Sequence, residues 1–284
     1  MKLFEMKKFV ALLLMLAGLM MTPAKAVLTI EITQGVDAGI PIAIGPFSWR
    51  GTPVPGESMT NVIEADLTRS GRFESIPRSD FLQQPHNDKE VRFKDWRLIK
   101  ADALVVGSIE QMGNGQYDVK FQLLDVFKGR VLTGYRYTVD SSKLRNVAHL
   151  ISDIIYEKLT GEKGAFNTKI AYVTVERTNK GKRYLLQVAD SDGFNPQTIL
   201  NSHQPLMSAA WSPDAKKLAY VSFEKRRSMI YLQRLSDGKR ENIARLKGIN
   251  SAPAFSPDGS KHAFVSSKDG KTEIYVLEMS SRAN

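Results

Sequence analysis

The sequence predicts an α+β N-terminal domain followed by the blades of an all-β propeller. Three features carry that prediction: an export signal over residues 1–26, mixed helical and strand-like patterning over 27–165, and a repeat of about 44 residues from 166 to 284.

At the front, Lys2, Lys7 and Lys8 precede the apolar run 9–21, and Thr22-Pro23-Ala24-Lys25-Ala26 follows with alanine at the −3 and −1 positions. A basic head, a short apolar core and small residues at the exit describe a secretory signal peptide. A membrane anchor needs about 20 apolar residues. The expectation is cleavage after Ala26, giving a chain that begins at Val27, has no transmembrane segment and lies outside the cytoplasm. Loss of the leader lowers the formal charge from +10 to +7.

Residues 28, 30 and 32 alternate with polar neighbours, which predicts a half-buried strand over Val27–Thr33. The stretch 41–47 is apolar and bounded by prolines. Residues 57–67 place Met59, Val62, Ile63, Ala65 and Leu67 near helical spacing, with Gly71 as a stop. A short strand over 73–76 and a helix over 96–100 come next. Three strands follow at 103–110, 117–127 and 131–139, joined by the glycine-containing turns 113–115 and 128–130. Ser141 or Ser142 is expected to cap a helix whose apolar stripe runs from Leu144 through Val147, Ile151 and Ile155 to Leu159. Gly161 and Gly164 end it, and the domain boundary is expected there.

Beyond that point the stretch 210–222, which holds Trp211-Ser212-Pro213-Asp214, returns 44 residues later as 254–266, with Phe255-Ser256-Pro257-Asp258. Ile230-Tyr231-Leu232 returns as Ile274-Tyr275-Val276 at the same offset, and an earlier copy starts at Ile170. A period of this length with several short strands per unit reads as propeller blades. Ser-Pro-Asp-Gly reverses the chain between strands, because proline presets φ, aspartate bonds nearby backbone and glycine accepts positive φ. Ala215 replaces that glycine in one copy. Trp211 and Phe255 are expected to pack between blades. His262 replaces the apolar residue seen at Leu218, as a tolerated substitution rather than a ligand.

Composition excludes several chemistries. There is no cysteine, hence no disulfide, thiolate metal site, cysteine nucleophile or lipid attachment point. Four scattered histidines form no metal-binding pair, so neither a metal nor another cofactor is called for. The positive balance admits anionic partners. Solvated surface lysines account for it as well, and export argues against nucleic acid.

The sequence resembles the TolB family of the Tol-Pal system. The resemblance lies in the stretch 35–44 (Gly35-Val36-Asp37-Ala38-Gly39-Ile40), in 157–166 (Glu157-Lys158-Leu159-Thr160-Gly161), and in Gln204-Pro205-Leu206-Met207-Ser208 ahead of Trp211-Ser212-Pro213-Asp214. It implies an α/β domain and a six-bladed propeller without enzymatic activity. It also implies a periplasmic role in outer-membrane integrity and in envelope invagination at cell division. The implied partners are the lipoprotein Pal, at the propeller's channel mouth, and the inner-membrane protein TolA, at the mature N-terminus. Bacteriocins are implied as further ligands of the propeller.

By this resemblance the TolA-binding segment is Val27, Leu28, Thr29, Ile30, Glu31, Ile32 and Thr33. A free alternating strand suits addition to a partner's sheet edge. It equally suits completion of its own domain, and a strand that alternates between the two would couple the terminus to the propeller. The Pal-facing loops correspond to His203, Gln204, Leu206 and Met207, and to Ile249, Asn250 and Ala252. Family members commonly carry histidine where Ile249 stands.

The 118 residues from Asn167 to Asn284 make about 2.7 blades at this period, whereas a closed propeller takes about 4–8. A truncated gene product with unpaired strand edges is the expectation, less stable and less monomeric than a full-length relative. Two other functions fit propeller repeats. A prolyl-oligopeptidase-like hydrolase would need a G-x-S-x-G elbow, which is absent from the sequence. A channel for small molecules or glycans would use Trp211 and Phe255 as stacking platforms.

Overall fold

In the computed structural model, residues 39–51, 58–179 and 181–279 are described. The predicted leader and the strand predicted over Val27–Thr33 lie outside them. None of the described helices is long and apolar enough to cross a membrane.

Ile42, Ala43 and Ile44 are all buried, and β1 (Ile40–Ile44) accordingly runs inside a sheet covered on both faces. It pairs in parallel with β3 (Phe73–Ser75) and β4 (Ala103–Gln111), while β2 (Ser48–Arg50) pairs further along β4. β5 (Tyr117–Asp125) and β6 (Arg130–Val139) extend the sheet as antiparallel hairpins, in the order β3-β1-β4-β5-β6. Alternation along β4 divides its side chains. Ala103, Val105 and Ile109 join one core with Ile63 and Leu67 of α1 (Met59–Arg69) and Ile151 and Ile155 of α3 (Leu144–Thr160). Leu104 and Val106 face a second core around Trp96 of α2 (Phe93–Leu98), whose ring meets Phe81 edge-on at 4.9 Å. Gly107 lies where chains approach closely: a Cβ there would stand 2.5 Å from the Phe47 ring and 2.6 Å from the Lys120 carbonyl.

Two helix expectations need correction. The helix expected over 96–100 spans Phe93–Leu98 instead, because Lys100 turns left-handed (φ 59°) and the Ala101 amide closes onto the Trp96 carbonyl at 3.1 Å. The serine cap expected for α3 is not used. Ser141–Lys143 form a 3-10 turn whose backbone bonds tighten the helix start, and no side chain caps it. The far end follows expectation, with Gly161 at φ 79° and its amide 2.9 Å from the Glu157 carbonyl.

Three antiparallel sheets follow. The first holds β7 (Lys169–Thr178), β8 (Gly181–Asp190) and β9 (Gln197–Ser202). The second holds β10 (Leu206–Trp211), β11 (Lys217–Ser222), β12 (Met229–Arg234) and β13 (Arg240–Ala244). The third holds β14 (Asn250–Phe255), β15 (Lys261–Ser266) and β16 (Glu273–Glu278). None of these sheets closes on itself.

The repeat is visible bond by bond. In the second sheet the Lys216 amide donates to Asp214 Oδ1 (3.1 Å) and the Lys217 amide to Ser212 Oγ (2.9 Å). In the third, the Ser260 amide donates to Asp258 Oδ1 (3.1 Å) and the Lys261 amide to Ser256 Oγ (2.9 Å). Hydrogen bonds from Ser256, the Ser260 side chain and the Ser260 amide hold the Asp258 carboxyl down at about 2. Ala215 takes the positive φ expected of the missing glycine, 55° against 72° at Gly259. Ser208 and Ala252, also 44 positions apart, share a left-handed bulge at φ 54° and 49°.

Blades adhere through apolar clusters. Leu186 of the first sheet meets Leu206 and Tyr220 of the second, and Phe255 and Phe264 of the third join Val221 and Ile230. Across the first seam Gln233 Nε2 donates to the Ile199 carbonyl (3.0 Å), while Gln233 Oε1 accepts from the Tyr220 hydroxyl (2.9 Å). Burial pushes the Tyr220 hydroxyl up to about 12, although Arg240 beside it acts the other way. His262 is fully buried between Phe255 and Phe264, and neither ring nitrogen has a hydrogen-bond partner.

Candidate functional site

Strand register sorts the loops into two ends. Ser222 pairs with both Leu206 and Met229, and Ile230 with Ala244, so residues 203–205, 223–228 and 245–249 share one end of the blade array. The third sheet repeats this: Ser266 pairs with Asn250 and Glu273, which brings residues 267–272 to the same end.

The sequence-predicted loop residues fall at this end but differ in exposure. His203, Gln204, Met207, Ile249 and Ala252 are exposed, Met207 by 43% and Ile249 by 55%. Leu206 and Asn250 are buried and support the loops from beneath. Leu206 belongs to the first inter-blade cluster. Asn250 Nδ2 donates to the carbonyls of Ser228 (3.1 Å) and Leu246 (2.8 Å), while its amide bonds Ser228 Oγ (2.9 Å). Asn250 thus ties the turn after β11 to the link before β14, Leu206 packs in the seam between the first two sheets, and both side chains are buried. Ser202 performs a similar local task, its Oγ donating to the Gln204 carbonyl and accepting the Gln204 amide.

At the other end, charged groups link the N-terminal sheet to the first blade. His149 Nδ1 on α3 lies 2.6 Å from Asp66 Oδ2 on α1, and its Nε2 faces Asp192 Oδ2 at 3.9 Å, in the turn after β8. Arg145, one turn earlier on α3, pairs with Asp192 and packs its guanidinium 3.9 Å above the Phe194 ring. Lys169 pairs with Asp190, and Arg69 with Asp66. Burial acts against the Asp192 carboxylate, yet the Phe194 amide and the Arg145 guanidinium hold it below the usual carboxylate range. One potential ligand atom each from His149, Asp190 and Asp192 lie within 4.8 Å of one another. Both carboxylates already carry a cationic partner, Asp190 in Lys169 and Asp192 in Arg145, so the arrangement is an ion-pair network. Sequence reasoning missed it. Asp66 and His149 are 83 positions apart, and the one local sign was the Asp190-Ser191-Asp192-Gly193 turn.

An α/β sheet followed by repeated antiparallel blades with loops gathered at one end defines a propeller-type protein with an added N-terminal domain. The chain belongs to the TolB family: the TolB amino-terminal domain matches residues 28–132 and the TolB beta propeller domain matches 156–284. The Tol-Pal system protein TolB of Nitrosococcus oceani is 50% identical over 247 residues, which is 86% of this chain and 57% of that relative. That of Thioalkalivibrio sulfidiphilus is 47% identical over 247 residues, 87% of this chain and 57% of the relative. The crystal structure of TolB from Acinetobacter baumannii superposes with a TM-score of 0.77 at 42% identity, covering 87% of this chain and 59% of that one. The chain therefore spans a little over half the length of these relatives.

Proposed function

We propose that the protein is a non-enzymatic scaffold of the Tol-Pal system, working in the periplasm after removal of residues 1–26. It links the inner-membrane protein TolA to the outer-membrane lipoprotein Pal, and so supports outer-membrane integrity and invagination at division. Likeness to Tol-Pal system proteins across both the N-terminal and propeller parts carries this reading. In it, Val27–Thr33 add as a strand to TolA, and His203, Gln204, Met207, Ile249 and Ala252 face Pal from the loop end of the blades.

A pull-down from periplasm tests the proposal, with the tagged exported protein as bait beside a variant lacking residues 27–33. TolA retained by the first and lost by the second, with Pal in both eluates, is the expected result. Absence of both partners from a folded bait would remove the assignment.

A further inference from the structure

The loop end that carries Met207 and Ile249 is lopsided in charge. Lys225, Arg226 and Arg227 occupy the turn after β11, Arg245 and Lys247 the link to β14, and Lys271 the turn before β16; all are exposed, and none is in an ion pair with another of the described residues. Acidic groups there are largely taken. Glu224 pairs with Arg240 at 3.0 Å, Glu176 with Arg183, and Asp269 both with Lys268 at 3.6 Å and with the Tyr275 hydroxyl at 2.8 Å. Among the described residues, Glu273 is the acid left unmatched at this end. The opposite end mixes signs, with Asp190, Asp192, Asp214, Asp237 and Asp258 among its lysines and arginines.

We propose that this end is a docking surface for an acidic protein face, in which unpaired cations attract the partner while Met207 and Ile249 form the apolar contact. The inference rests on the Pal-docking reading above and adds the chemistry of recognition: the surface of Pal that meets these loops is acidic. Two observations favour a protein over a lipid surface. The cations lie beside exposed apolar side chains on short, hydrogen-bonded turns, and Asn250 fixes two of those segments to each other. A preformed apolar patch with a charged rim is the composition of a protein interface. Unpaired rim charges act on encounter rather than on residence, so they raise the association rate and make it sensitive to salt.

The test is stopped-flow or surface-based kinetics of the intact protein with the soluble domain of Pal, from about 20 to about 500 mM salt, spanning weak to strong screening. Association is expected to slow at least about tenfold over that range while dissociation changes little. The triple variant Lys225→Gln, Arg226→Gln, Arg227→Gln should lower the low-salt association rate about tenfold and flatten its salt dependence. Circular dichroism of the variant verifies folding, and the salt series on the unaltered protein decides the matter without it. Binding of Pal with salt-independent association would overturn the acidic-face inference and leave the scaffold reading intact. Absence of Pal binding would overturn both. Vesicles with about one third anionic phospholipid form a separate arm: capture by them, with Pal association insensitive to salt, assigns the surface to membrane instead.

Discussion

His149 Nδ1 stands 2.6 Å from Asp66 Oδ2, and each side chain is only 1% exposed. This contact fixes α3 to α1 beneath the sheet, and through Asp192 it reaches the first blade. Removing Asp66 leaves His149 Nδ1 buried without its partner, whereas removing His149 leaves Asp66 with Arg69 alone. Asp66→Ala is expected to lower unfolding free energy by about 3 kcal/mol, measured in urea. The double variant with His149→Ala should lose less than the sum of the two single losses.

His262 is enclosed by Phe255 and Phe264 in the position that Leu218 fills one repeat earlier. Burial lowers its pKa from 6.5 to about 4. The unfolded chain therefore binds a proton in a range where the folded chain does not, and stability should fall as pH drops from about 6.5 towards about 4. His262→Leu should abolish that part of the slope and raise stability at neutral pH by about 1 kcal/mol, since an unpartnered buried imidazole is replaced by an apolar side chain. Thermal melts at several pH values provide the check.

Ala215 and Gly259 occupy equivalent turns, at φ 55° and 72°. Ala215→Gly should stabilise the second blade sheet by up to about 1 kcal/mol, and Gly259→Ala should destabilise the third by a similar amount. No atom crowds Gly259 closer than Pro213 at 3.8 Å, so the effect there reports backbone conformation rather than a clash.

Gly107 makes the contrasting case. An added methyl would overlap the Phe47 ring and the Lys120 carbonyl, and Gly107→Ala is expected to cost about 1–3 kcal/mol through overpacking. Loss of cooperative unfolding in the N-terminal sheet, read by near-UV circular dichroism, is the observable.

Ile274 and Val276 on β16 are 75% and 62% exposed. Two apolar side chains on one open strand face invite another copy of the chain. Sedimentation should show mass increasing with concentration, and Ile274→Lys with Val276→Lys should restore a monomer. A chain monomeric at every concentration would remove this expectation.

Much of this architecture was legible from residue pattern. The Ser-Pro-Asp turns announced the blades because turn chemistry is local: Ser212 and Asp214 bond the amides of residues 216 and 217. The β4–β5 and β5–β6 hairpins were legible for the same reason, through Gly115 and Gly129 at positive φ. Helix ends were less so. Ser141 and Ser142 look like caps in sequence, yet a 3-10 turn occupies the place. Burial inside a loop was invisible as well. Asn250 reads as a surface residue until Ser228 and Leu246, on separate segments, are brought to it. The ion-pair network was least accessible, since Arg145 meets Asp192 across 47 positions and no local pattern records such a meeting.

That network also decides how the molecule responds to being pulled. Among the described residues, the apolar clusters of the N-terminal sheet and those of the blades share no side chain, and Phe166 of the connecting segment packs on the N-terminal side. Across the junction run charges, Arg145 and His149 on one side and Asp192 on the other, with the Phe194 ring beneath the Arg145 guanidinium. Ionic contacts can re-form after parting, whereas an opened apolar core exposes its interior to water. Under tension between its two ends the protein has a seam that should part before either half unravels and knit again when the load is released.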